Sequence, residues 1–79
     1  MTNLEKLNNI FYEVFNVEAS ALGVEFNNNN IDGWDSVHQL TLAAALEDNF
    51  DILLDPEDII ACVSYAGIKE ILRKFEIEL

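Results

Sequence analysis

Positive charge is what this chain most lacks. Four Lys and Arg residues stand against 15 acids, for a formal net charge of −11 over 79 residues, and none of the four lies between Asn8 and Ile68. That window holds 11 acids, from Glu13 to Asp58, while the other four share the two ends with all four bases. The whole net charge therefore sits on the middle of the chain. Such a surface repels nucleic-acid phosphates and anionic lipid, which argues against both as partners, and it steers basic proteins toward itself. The plainer use of the same charge is to keep a small protein in solution. Cysteine is nearly absent as well. Cys62 stands alone, so no internal disulfide is possible and the fold does not depend on oxidation. No uncharged apolar run approaches the ~20 residues of a membrane span. Met1-Thr2-Asn3-Leu4-Glu5-Lys6 has no positive segment leading into an apolar one, so it does not read as a signal peptide. The expectation is a cytoplasmic monomer made of one domain, residues 1–79.

What is present suffices for a core. Hydrophobic residues form 51% of the chain, which argues against disorder despite the charge. A domain of this size buries only about 60% of its unfolded surface, so its margin of stability is thin. Thr2 followed by Glu5 has the form of a capping box. Leu4, Leu7, Ile10, Phe11, Val14 and Phe15 then recur at spacings of three and four, predicting helix 1 over about residues 3–16. Residues 17–34 show no sustained period. They contain Gly23, the run Asn27-Asn28-Asn29-Asn30 and Gly33, which favour turns. A loop this long in so short a chain is uncommon and often functional. Val17, Leu22, Val24, Phe26, Ile31 and Trp34 are expected to pin it to the helices, with a short helical turn over Ala19 to Leu22.

Helix 2 is expected from Ser36 to about Asn49, capped by Asp35 or Ser36, the latter with Gln39 fitting a second capping box. Its apolar residues, Val37, Leu40, Leu42, Ala43, Ala44, Ala45 and Leu46, spread over more than one face, more than a surface helix needs. Asp51 to Leu54 form a linker, in which Ile52-Leu53-Leu54 has the pattern of a short strand with nothing nearby to pair with it. Asp55-Pro56-Glu57-Asp58 combines an Asp cap, Pro at the first position and first-turn acids. It starts a short helix 3 ending near Cys62-Val63. Ser64 caps a last helix whose buried stripe is Ile68, Ile71, Leu72 and Phe75, with Lys69, Arg73 and Lys74 toward its negative end. Gly67 inside it costs up to ~1 kcal/mol against Ala, which a close helix contact would explain. The fold class is all-α: a four-helix bundle of three longer helices plus one short third helix, with a long loop between helices 1 and 2.

The motif Gly33-Trp34-Asp35-Ser36-Val37-His38-Gln39-Leu40 places a serine directly after an aspartate at the first turn of helix 2. Taken with the long preceding loop, Ala45-Leu46-Glu47-Asp48-Asn49-Phe50-Asp51, the Pro-started short helix and the final amphipathic helix, it resembles the acyl carrier proteins over nearly the whole chain. In that family the serine of an Asp-Ser-Leu site carries a 4′-phosphopantetheine arm derived from coenzyme A. The resemblance implies that Ser36 is the attachment site, that Asp35 orients it, and that a phosphopantetheinyl transferase loads it. The arm would hold acyl intermediates as thioesters for a loading ligase or acyltransferase and for downstream biosynthetic enzymes. The protein would be a carrier and not an enzyme, and a phosphoprotein of fatty acid, lipid or secondary-metabolite biosynthesis.

The resemblance also implies a docking surface of Val37, His38, Leu40, Thr41, Ala44, Glu47 and Asp48. It implies an acyl cleft of Leu42, Ala45, Leu46, Leu54, Ile59 and Cys62, residues that pack as core in any case. Leu40 and Ala44 fit plain core equally well. The sequence departs from the common fatty-acid pattern: Val37 stands where Leu is usual, and His38 and Thr41 occupy positions that are often acidic. That form looks more like carriers dedicated to particular biosynthetic clusters, or like aminoacyl or peptidyl carriers of small ligase systems. A carrier-like interaction module that is never modified is an alternative of a different class, and a small acidic enzyme is a third, for which no nucleophile–base–orienter set can be assembled.

Other residues have plainer readings. Serine before a helix is ordinarily a cap worth ~1 kcal/mol. His38 lies two residues from Ser36, on a different face, with no evident third residue to orient it, and reads as an exposed polar residue that tunes partner choice. Asn28-x-Asn30-x-Asp32-Gly33 is a faint calcium-loop pattern with Gln39 where a bidentate Glu belongs, so no metal is expected. Cys62 reads as a buried structural thiol, and Trp34 as an anchor for the loop.

Overall fold

The computed structural model describes residues 2–79. Four α-helices follow in order: α1 over Asn3–Phe15, α2 over Ser36–Phe50, α3 over Pro56–Ile60 and α4 over Tyr65–Lys74, with a 3-10 turn at Ala19–Ala21 in the first loop. Strand-like pairing among the described residues is confined to one isolated antiparallel bridge between Asn27 and Ser64.

Each helix begins where the sequence supplies a cap. Thr2 Oγ1 accepts the Glu5 N–H at 3.1 Å, and the Thr2 N–H donates back to Glu5 Oε1 at 3.2 Å, so the expected capping box forms. Asn16 closes α1 in the left-handed region at φ 57°, a conformation Asn tolerates better than most residues. Leu7, Ile10 and Phe11 are buried, Val14 and Phe15 partly so, and Leu4 lies at the exposed edge of the stripe.

The long loop is tied down at specific points. Asn27 Oδ1 accepts the N–H groups of Asn29 and Asn30 at 2.9 and 3.1 Å, and Asn30 Nδ2 donates to the Glu25 carbonyl at 2.9 Å. The asparagine run is thus a self-bonded turn. Asn28 N–H to the Val63 carbonyl at 2.8 Å and Tyr65 N–H to the Phe26 carbonyl at 2.9 Å join it to the start of α4. Phe26 and Trp34 are buried, and Val17, Leu22 and Ile31 pack partly against the core. Val24 does not pin the loop: it is 82% exposed, because the turn closed by Phe26 N–H on the Gly23 carbonyl holds it at a solvent-facing tip.

The rings of Phe26, Trp34 and Tyr65 surround Phe11 at centroid distances of 5.7, 5.8 and 5.2 Å, all near edge-to-face, the geometry aromatic quadrupoles favour. Tyr65 Oη donates to Asn8 Oδ1 at 2.7 Å, which satisfies its buried polar end.

Helix α3 stops at Ile60, earlier than the expected Cys62-Val63, because the Cys62 N–H turns back to the Ile59 carbonyl at 3.1 Å in a tighter 3-10 step. Asp58, only 5% exposed, completes a capping box with Asp55 and meets Lys74 Nζ of α4 at 2.6 Å. The Lys74 hydrogen bond holds its carboxyl below the usual carboxylate range, against the opposing effect of burial. Gly67 answers a local need, not a helix–helix crossing. A Cβ there would stand 2.7 Å from Ser64 Oγ, the oxygen that caps α4 by accepting the Gly67 N–H at 2.8 Å. Beyond α4 the chain folds back: Ile77 N–H reaches the Leu72 carbonyl at 3.0 Å, and Asn3 Nδ2 donates to the Glu78 carbonyl at 2.8 Å.

Candidate functional site

The start of α2 gathers the motif residues. Asp35 takes the cap position in extended backbone, and its Oδ1 accepts the His38 N–H at 3.0 Å. Ser36 is the first helical residue and is exposed. The Ser36–Gln39 capping box does not form. Ser36 already has helical backbone, and the Gln39 side chain turns away to donate Nε2–H to the Ile59 carbonyl at 2.6 Å. With Asp35 as the cap, helix capping no longer accounts for the hydroxyl of Ser36.

Asp35 Oδ1 also meets His38 Nδ1 at 2.8 Å, and this side-chain bond, then the His38 backbone N–H, lowers the Asp35 carboxyl below its ordinary value. The imidazole lies nearly parallel to Phe15, with centroids 5.3 Å apart and planes at 19°. His38 is therefore half-buried and oriented, which corrects the expectation of a free surface residue with no orienting partner. In its neutral form the Nδ1 proton faces Asp35 and Nε2 remains the acceptor.

The outer face of α2 is open. Val37 is 67% and Leu40 59% exposed, and Thr41, Ala44 and Asp48 are exposed with them, so Leu40 and Ala44 are not core. Thr41 Oγ1 donates to the Val37 carbonyl at 2.9 Å. Glu47 stands apart from the group. It is half-buried, and its Oε2 accepts the Leu54 N–H at 2.8 Å, so that oxygen fixes the α2–α3 linker. On α2 only Glu47 and Asp48 are acidic, and from Ser36 to Leu46 the helix carries no Asp, Glu, Lys or Arg.

On the inner face, Leu42, Leu46, Leu54 and Cys62 are buried together, with Ala45 and Ile59 packed partly against them. Burial pushes the Cys62 thiol up to about 11, and its S–H donates to the Asp58 carbonyl at 3.3 Å. Trp34 anchors the loop through its ring contacts and through Nε1–H to the Cys62 carbonyl at 3.3 Å. Sequence reasoning missed Gln39 as a link between α2 and α3. The only signal available was a polar residue three positions after Ser36 on the stripe that continues into Ala43 and Leu46.

Ser36 thus stands exposed at the start of the second helix of a small all-helical fold, with the short third helix packed against that helix. The solution NMR structure of the holo acyl carrier protein from Geobacter metallireducens shares that fold with this chain at a TM-score of 0.69 and 27% identity, covering 100% of this chain and 97% of that one. No protein-family model and no curated protein matches. The likeness to acyl carrier proteins read from the motifs thus holds along the whole chain. No helix among the described residues is long and apolar enough to cross a membrane.

Proposed function

We propose that this chain tethers acyl intermediates as thioesters on a 4′-phosphopantetheine arm joined to Ser36, and presents them to partner enzymes. The observation that carries the reading is the division of labour at the start of α2: Asp35 caps the helix, and the adjacent Ser36 stands exposed as its first residue. A phosphodiester at that position would lie at the positive end of the helix dipole, on an exposed residue whose hydroxyl is not used as the helix cap, so the residues present fit the arm. The arm supplies the thiol on which the acyl group travels. The chain's residues bind and orient. Asp35 and His38 fix the first turn, and Val37, Leu40, Thr41, Ala44 and Asp48 offer the surface that partners grip. The transferase performs the attachment, so Ser36 requires no activating base of its own.

The scarcity of acids along α2 favours a dedicated carrier over one shared by general fatty-acid synthesis. A partner meeting this face would bind through apolar contact with Val37 and Leu40 more than through ion pairs. The test is acyl loading. After treatment with octanoyl-coenzyme A and a broad-specificity phosphopantetheinyl transferase, hydroxylamine should release the octanoyl group from the wild type. Ser36→Ala should carry none. An octanoyl group found on both, or on neither folded protein, would sink the reading.

A further inference from the structure

Ser36, Gln39, Ala43 and Leu46 lie three to four residues apart and so share one face of α2. Ala43 and Leu46 are buried, Gln39 is half-buried, and Ser36 is exposed. Gln39 thus stands between the serine and the core stripe. Its Nε2–H reaches the Ile59 carbonyl at the end of α3, 2.6 Å away. The other end of the same seam is closed by Glu47 Oε2 on the Leu54 N–H at 2.8 Å. From the far side, Lys74 of α4 holds Asp58 at 2.6 Å. Beneath α3 and its flanks lie Leu42, Leu46, Leu54 and Cys62, all buried.

The three ties differ in what their loss leaves behind. Without Lys74, Asp58 is a carboxylate stripped of its counter-charge in a buried position. Without Glu47, the Leu54 N–H loses its acceptor. Without Gln39, the Ile59 carbonyl keeps the Cys62 N–H at 3.1 Å, and the amide can turn to water. The Gln39 bond is therefore the tie that opens at least cost, and it is the one beside Ser36.

We infer that Gln39 is the clasp of the α2–α3 seam, and that it sets how readily an acyl chain borne on Ser36 enters the core. This rests on the carrier reading. A ligand shifts such an equilibrium only by its preference for the open state, so a short acyl group gains too little apolar contact to break the clasp, while a longer one gains more with each methylene buried. Gln39 thereby helps determine which chain lengths are sequestered.

The test compares wild type, Gln39→Met and Gln39→Lys. Methionine keeps length and approximate volume but has no donor, and lysine restores a donor of similar reach. In the unmodified proteins, amide hydrogen exchange reports seam opening. Loss of one ordinary neutral hydrogen bond corresponds to about a fivefold shift in that equilibrium. Exchange at Ile59, Ile60 and Cys62 should therefore quicken about fivefold in Gln39→Met, with α1 unchanged and Gln39→Lys close to wild type. Equal exchange in all three proteins would overturn the clasp, whatever happens at Ser36. The same proteins are then loaded with acetyl- or octanoyl-phosphopantetheine and treated with hydroxylamine. The octanoyl thioester should be cleaved several-fold more slowly in Gln39→Met than in wild type, and the acetyl thioester at one rate in all three. Equal octanoyl rates would overturn the role in cargo. Failure of every variant and the wild type to accept the arm would overturn the carrier reading and the cargo role together, and the exchange data would still decide the clasp.

Discussion

Replacing Gly67 by alanine sets two effects of similar size against each other, and the structure says how to separate them. Alanine in a helix interior is favoured over glycine by ~1 kcal/mol. The new Cβ, however, would stand 2.7 Å from Ser64 Oγ and 3.3 Å from the Ala61 carbonyl oxygen. The serine can yield by rotating, but its Oγ then no longer accepts the Gly67 N–H at 2.8 Å, and losing such a cap costs ~1 kcal/mol. Gly67→Ala alone is therefore expected to change stability little, or to lower it slightly. In a Ser64→Ala background the cap is already gone and the close contact with Oγ is removed. There the same substitution should stabilise by up to ~1 kcal/mol, about 4–8 °C in melting temperature for a domain of this length. The assay is a double-mutant cycle by urea or thermal unfolding, with a coupling of ~1 kcal/mol between the two sites. Equal stabilisation by Gly67→Ala in both backgrounds would refute the assignment of Gly67 to the cap. So would equal destabilisation, which would place the conflict at the Ala61 carbonyl.

Further expectations concern charge and thiol chemistry. The folded Asp58 carboxyl lies below its ordinary value of 3.8, chiefly through Lys74, so its contribution is present above that value and lost as pH falls through the folded one. Wild type should therefore lose melting temperature on acidification by more than Asp58→Asn does, and parallel pH profiles for the two would refute this. The Cys62 thiol, raised to about 11 and buried, should resist a disulfide reagent at pH 8 in the native protein and react on unfolding. Rapid native reaction of the unmodified protein would contradict its packing. With a net charge of −11 and 11 acids in an uninterrupted window, mutual repulsion should be relieved by magnesium or salt. A melting temperature indifferent to millimolar magnesium would count against that.

Much of the frame was legible because it is written in local chemistry. The Thr2–Glu5 box, the Asp55-Pro56 start and the Ser64 cap are residue-by-residue signals, and each begins a helix where expected. The motif order around Ser36 was equally readable. What sequence could not decide were choices between neighbours and contacts made across the fold. Asp35 and Ser36 are both competent caps, and the extended backbone of Asp35, with its Oδ1 accepting the His38 N–H, assigns the role. Glu47 looks like any helix-surface acid until the linker brings the Leu54 N–H to it. Asp35 and His38 are three residues apart, a spacing a helix brings together, but whether the imidazole folds back depends on Phe15, supplied by another helix. Val24 is apolar and reads as a loop anchor, but a turn holds it out in solvent.

The measurement that tests the central claim most directly is intact mass after incubation with coenzyme A and a broad-specificity phosphopantetheinyl transferase, run beside Ser36→Ala. The account predicts a single phosphopantetheine addition on the wild type and none on the variant. No addition to a wild type shown to be folded would contradict it, and would leave Ser36 as an exposed helix residue of an unmodified module.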